Sequence, residues 1–251
     1  MKQNYFEPTW SSIKQHQTPN WFKKAKFGIY AHWGIYSVPA AGPNVTWYPY
    51  WMYRPPSPQF DYHCKHYGHP SKFGYKDFIP MFTAEKFNAE EWADLYYRSG
   101  AKFAGPVAEH HDGFPMWNCS DTEWCASKMG PKRDIVGELA KAIRNKGMKY
   151  MVAMHHAENW FFFPHWNNDF DTSKKEYESL YGELHNLDLI GNQAVYPDHW
   201  GRKNEHQDKP SKAFHDRWLN RLKEVVDNYK PDYVWFDLSL IHISEPTRLA
   251  T

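Results

Sequence analysis

Phe103-Ala104-Gly105-Pro106-Val107-Ala108-Glu109-His110-His111-Asp112-Gly113-Phe114 is the stretch on which the fold reading turns. An apolar strand from Phe103 to Val107 runs into Glu109, His110, His111 and Asp112, then meets a Gly-Phe turn. Strands that end in titratable side chains are how parallel α/β enzymes present chemistry at their carboxyl edge. A strand capped by hydrogen-bonded histidines is the plainer alternative. One histidine would favour it, whereas a His-His-Asp-Gly run favours a site.

Outward from this strand the same pattern repeats. Phe27 to Trp33 reads as a first strand carrying His32 at its end and stopped by Gly34. Strand two is 103–111, strand three Lys149 to Met154 followed by His155 and His156, and strand four Tyr233 to Phe236 followed by Asp237. Helices are expected between them. Asn88 to Ser99 has an N-cap in Asn88, Glu91 three residues on, a face of Trp92, Leu95 and Tyr96, and Gly100 to close it. Asp134 to Lys146 carries Ile135, Leu139, Ala142 and Ile143 as its stripe, and Ser211 to Tyr229 carries Phe214, Trp218, Leu222 and Val225. Alternating β and α with polar strand ends predicts an α/β fold, a (β/α)8 TIM-like barrel with only about the first four βα units present. A doubly wound sheet is the alternative, but no Gly-rich phosphate turn follows any strand.

Between strands one and two lies an aromatic loop, Trp47 to Tyr53, where Pro55, Pro56 and Pro58 argue against regular structure. His63, Cys64, His66 and His69 cluster there, but their spacing matches no zinc pattern. Residues 157–210 show no clear period and are expected to hold functional loop.

Composition narrows the function classes. A net charge of +1 over 251 residues gives no reason to expect nucleic acid or an anionic membrane. Three cysteines make no disulfide framework. No stretch is apolar enough to span a bilayer and no signal peptide is visible, so the default location is cytoplasmic. Aromatics at 18% include 13 Trp and 17 Tyr, which suit sugar-binding pockets with an apolar face and a polar tip.

Four motifs then make a specific resemblance. Phe-Gly-Ile-Tyr-Ala-His-Trp-Gly-Ile-Tyr-Ser-Val-Pro-Ala (27–40), His-His-Asp-Gly-Phe (110–114), Gly-Pro-Lys-Arg-Asp-Ile-Val-Gly-Glu-Leu (130–139) and Pro-Asp-Tyr-Val-Trp-Phe-Asp (231–237) resemble the α-L-fucosidases of glycoside hydrolase family 29, in the family's order. The resemblance implies a retaining exo-glycosidase that releases α-linked L-fucose from a fucosylated oligosaccharide or glycoconjugate. It implies Asp237 as nucleophile. It also implies His32, Trp47, His110, His111 and Trp235 as substrate-binding residues. No cofactor and no metal are called for, although relatives of this kind are often exported. A retaining enzyme needs one carboxylate to attack and a second as acid and then base. Neutral imidazoles suit sugar hydroxyls, offering one donor and one acceptor each.

Two positions depart from the family: Thr46 stands where it has Glu, and Glu109 where it has Lys. Around His155 the match is loose and implies no role. Leu238 to Arg248 reads as a translation of the transposon-end and adapter DNA of sequencing libraries. Residues 1–237 are therefore expected to be the N-terminal portion of the catalytic barrel and 238–251 a non-native tail, with the acid/base carboxylate in a missing half. Glu109 and Asp112 are not assigned that role. Two other classes stay open: a non-catalytic or altered-specificity carbohydrate-binding relative, suggested by Thr46, and a metal-dependent barrel hydrolase, suggested by 15 His.

Overall fold

The computed structural model describes residues 6–184 and 210–237. The tail 238–251 and much of the expected loop 157–210 lie outside the described residues. Four strands form one parallel sheet in sequence order: β1 (Gly28–Ala31), β2 (Phe103–Glu109), β3 (Lys149–Met154) and β4 (Tyr233–Trp235). All three pairings are parallel, so the carboxyl ends share one edge. Strands one, two and four are shorter than the sequence suggests, which leaves His32, His110, His111 and Asp237 in the turns just past them. A parallel α/β sheet is what the described residues form; they do not close it into a barrel.

Burial follows sheet position. In β2 every residue after Phe103 is buried and in β3 every residue after Lys149, because helices and loops cover both faces. In β1 and β4 no residue is fully buried.

Gly105 sits in β2 because nothing larger fits. A Cβ there would collide with the backbone carbonyl oxygen of Met151 on β3. Pro106 adds no donor to the ladder, and the β2–β3 register shifts between Val107 and Glu109. Gly105→Ala should cost about 1–3 kcal/mol in urea unfolding of the folded protein. Unchanged stability would show that the two strands can spread without loss.

Four of the longer helices matter for the site: α1 (Pro58–His66), α2 (Ala89–Arg98), α3 (Ile135–Asn145) and α4 (Lys212–Tyr229). The first corrects the proline argument. Pro58 occupies the first turn, where a missing N–H costs nothing, and Ser57 caps it by accepting from the Phe60 amide at 3.0 Å. His63 on this helix is structural: its Nε2 donates to the Phe73 carbonyl at 2.9 Å, so its Nδ1 accepts from the Tyr48 hydroxyl at 2.9 Å. In α2, Asn88 caps as read, accepting from the Glu90 and Glu91 amides. Leu95, however, is exposed, and the buried face is Ala89, Ala93 and Tyr96. In α3 all four stripe residues are buried. In α4 Phe214 and Val225 are buried while Trp218 and Leu222 are only half-buried.

The aromatic excess largely builds the core. Tyr48, Tyr50, Tyr75, Tyr150 and Trp117 are all buried. The described part of 157–184 is packed core as well, contributing Trp160, Phe162, Phe163, Phe170 and Tyr181. Asp171 fixes it in place by accepting from the hydroxyls of Tyr53 at 2.8 Å and Tyr181 at 2.5 Å.

Candidate active site

Each strand delivers a side chain to the carboxyl edge. His32 follows β1, His110 and His111 follow β2, His155 follows β3, and Asp237 lies two residues beyond β4. Their rings meet. Ring centres are 5.6 Å apart for His32 and His110, 5.2 Å for His32 and His155, and 4.4 Å for His110 and His111. Asp237 Oδ2 lies 3.9 Å from His155 Nδ1. Trp47 packs against His111 with ring centres 5.1 Å apart. Trp235 is exposed, and its indole N–H donates to Asp237 Oδ1 at 3.4 Å. All six residues singled out by sequence thus lie at one edge.

The hydrogen bonds fix one tautomer. His111 Nδ1 is 2.8 Å from the His155 carbonyl oxygen, which can only accept, so Nδ1 carries the proton and Nε2 presents a lone pair. Neither nitrogen of His110 or His155, nor His111 Nε2, has a hydrogen-bond partner among the described residues. Buried imidazoles without partners are costly by themselves and fit a polyhydroxylated ligand that supplies the missing bonds.

Burial keeps these imidazoles neutral. It drives His110 and His111 well below the usual histidine value, and brings His155 to about 4 against the opposing pull of Asp237. His32 is lowered too, by burial against the same carboxylate. The unfolded chain therefore binds protons that the folded site refuses. Stability contributed by the neutral cluster is complete above about 6.5 and is lost as pH falls from there toward about 4. The melting temperature should drop across that window, and a flat profile there would show that the rings are solvated.

Three contributors escaped the sequence reading. His155, given no role, stands among the other imidazoles. Its position at the end of strand three was a usable signal. Glu158, on the turn after β3, is buried, and burial followed by the nearby Asp237 charge pushes its carboxyl up to about 8. Arg221 is buried on α4 and binds Glu109, with Asp121 3.1 Å from its Nε. His156 Nδ1 lies 2.8 Å from Glu109 Oε1. Burial raises the Glu109 pKa, but Arg221 and His156 outweigh it and hold the carboxyl below its usual value. Glu109 is thus committed to an ion pair rather than presented to a ligand. Asp112, pushed by burial to about 7, accepts from the Tyr75 hydroxyl at 2.7 Å.

The family model for alpha-L-fucosidase matches residues 1–249. The chain belongs to the alpha-L-fucosidase family. Tissue alpha-L-fucosidase of Rattus norvegicus is 33% identical over 235 residues, covering 93% of this chain and 42% of the rat protein. Plasma alpha-L-fucosidase of Homo sapiens is 36% identical over 239 residues, covering 92% of this chain and 42% of the human one. Among solved structures, Thermotoga maritima alpha-fucosidase in complex with fucose matches with a TM-score of 0.72 at 35% identity, over 94% of this chain and 50% of that one. The chain thus spans about half the length of the fucosidases it matches. No described helix is long and apolar enough to cross a membrane.

Proposed function

We propose that this chain carries the nucleophile half of a retaining α-L-fucosidase, acting on fucosylated oligosaccharides or glycoconjugates. The observation that carries the reading is the edge where Asp237 stands 3.9 Å from His155, with imidazoles around it that have no hydrogen-bond partner among the described residues. Asp237 attacks the anomeric carbon, and the glycosidic oxygen leaves with a proton from a general acid. Water, deprotonated by the same group, then releases fucose and regenerates the carboxylate. His32, His110 and His111 bond the sugar hydroxyls, Trp47 packs its apolar face, and Trp235 holds the nucleophile. Thr46 offers a hydroxyl where the family's Glu offers a charge, which weakens one sugar contact.

The acid/base group is proposed to come from the second half of a (β/α) barrel that family-length members carry. Among the described residues β1 and β4 each pair with one neighbour only, and Tyr30 and Trp235 are exposed there. In the full barrel these edges would be covered.

The deciding experiment uses the family-length protein, the chain extended by such a second half. It should hydrolyse an aryl α-L-fucoside and release α-L-fucose first, seen by NMR. Glycan binding without turnover would favour the carbohydrate-binding reading instead. The 251-residue chain expressed alone should be aggregated and inactive by size-exclusion chromatography and assay, because open sheet edges invite pairing with other chains. A monodisperse, cooperatively melting, active chain would place a complete site within it.

A further inference from the structure

The imidazoles at the strand ends have a geometry that sugar binding does not require. The ring centres of His32, His110 and His155 form a nearly equilateral triangle with sides of 5.2, 5.3 and 5.6 Å. A tetrahedral zinc ion holds imidazole nitrogens about 2.0–2.1 Å away, and a ring centre lies about 1.2 Å further out, so two rings on one ion have centres about 5.2 Å apart. Each of the three rings already offers a nitrogen within 4.8 Å of the other two. Small side-chain rotations close that to the roughly 3.4 Å between nitrogens on one tetrahedral ion.

The donor set is ready for an ion. Both nitrogens of His110 and of His155, and Nδ1 of His32, have no hydrogen-bond partner among the described residues, and His110 and His155 are 3% and 2% exposed. The Asp237 carboxylate, 3.9 Å from His155, supplies the negative charge beside the three rings, and water completes the shell. Three imidazoles with one carboxylate select zinc and its transition-metal neighbours over magnesium or calcium, which favour all-oxygen shells.

We propose that His32, His110 and His155, with the Asp237 carboxylate beside them, take up one zinc-class divalent ion in place of the glycan, so that the ion inhibits. Uptake of the ion rests on these side chains alone, whereas the inhibition rests on the fucosidase reading above. The ion and the sugar compete for the same lone pairs, and an ion held among these rings shuts the sugar out from Asp237. The metal is thus an inhibitor and not a cofactor, and chelation raises activity where a metal-dependent hydrolase would lose it.

The test uses family-length protein stripped with a chelator. Calorimetric titration with zinc chloride should give one ion per chain with a Kd of about 1–100 μM. Cobalt(II) should develop the intense visible bands of a four-coordinate site. His155→Ala and His32→Gln should each weaken zinc binding about tenfold or more and remove the cobalt bands. Should His155→Ala fail to fold, His32→Gln at the rim decides. Zinc should raise KM for the aryl fucoside and leave kcat unchanged. No zinc binding below about 1 mM, or equal binding in the folded variants, overturns the proposal. Metal-free protein that hydrolyses fucosides but takes no zinc would sink this inference alone. Zinc bound as described to a protein without fucosidase activity would sink the functional reading and leave the ion site standing.

Discussion

Asp237→Gly in the family-length protein is expected to lower aryl α-L-fucoside turnover by about 10³-fold or more, because the residue that forms the covalent intermediate is gone. Glycine leaves a space the size of a carboxylate beside the anomeric carbon. Azide is small and anionic enough to occupy it, so added azide should restore turnover and yield β-L-fucosyl azide, with inversion in a single displacement. The local structure supports both parts. Asp237 lies beyond the last residue of β4 and is partly exposed, and the buried His155 beside it is a neutral imidazole, so its loss strands no buried charge. Trp235 loses a 3.4 Å hydrogen bond at the surface, a small cost. The variant should therefore melt close to the parent while losing activity. Near-normal activity, or a loss that azide does not relieve, would move the nucleophile elsewhere.

Arg221→Ala should produce the largest loss of stability. The guanidinium and the Glu109 carboxylate are both buried, and Asp121 and the Gly113 carbonyl complete the network, the latter 3.4 Å away. Removing the cation leaves a buried carboxylate with, among the described residues, His156 alone as a charge-bearing partner. Breaking such a pair on one side costs about 3–5 kcal/mol. Asp121 is partly solvated, so its share is screened and the loss should trace mainly to Glu109. Urea unfolding checks the size. Adding Glu109→Gln to the single variant should recover part of the loss, since an amide tolerates the site better than an unpaired charge. A single variant within about 1 kcal/mol of the parent would show that water reaches Glu109 and solvates it. The network joins α4 to the end of β2, from which His110 and His111 extend, so kcat/KM should fall with stability.

The strand ends were legible in the sequence because their signal is local. A parallel strand reads as an apolar run, fully buried in β2 and β3 and partly buried in β1 and β4, and the residue that ends the run stands at the sheet edge, whichever strand lies beside it. This located β1 to β4 in order and brought out His32, His110, His111 and Asp237, while α3 was legible because its apolar stripe is continuous. The prolines before α1 misled because proline forbids a helix interior but favours a first turn, and sequence alone does not say which applies. Leu95 misled because it borders the buried face of α2 without joining it. The Arg221–Glu109 pair, 112 residues apart, was out of reach for a different reason. An arginine within an apolar stripe announces a buried cation but not its partner, which only the packing of α4 against the end of β2 selects. His155 was legible as the polar end of strand three, but not its company: its neighbours come from three other strands, and the parallel register of the sheet is what brings them together.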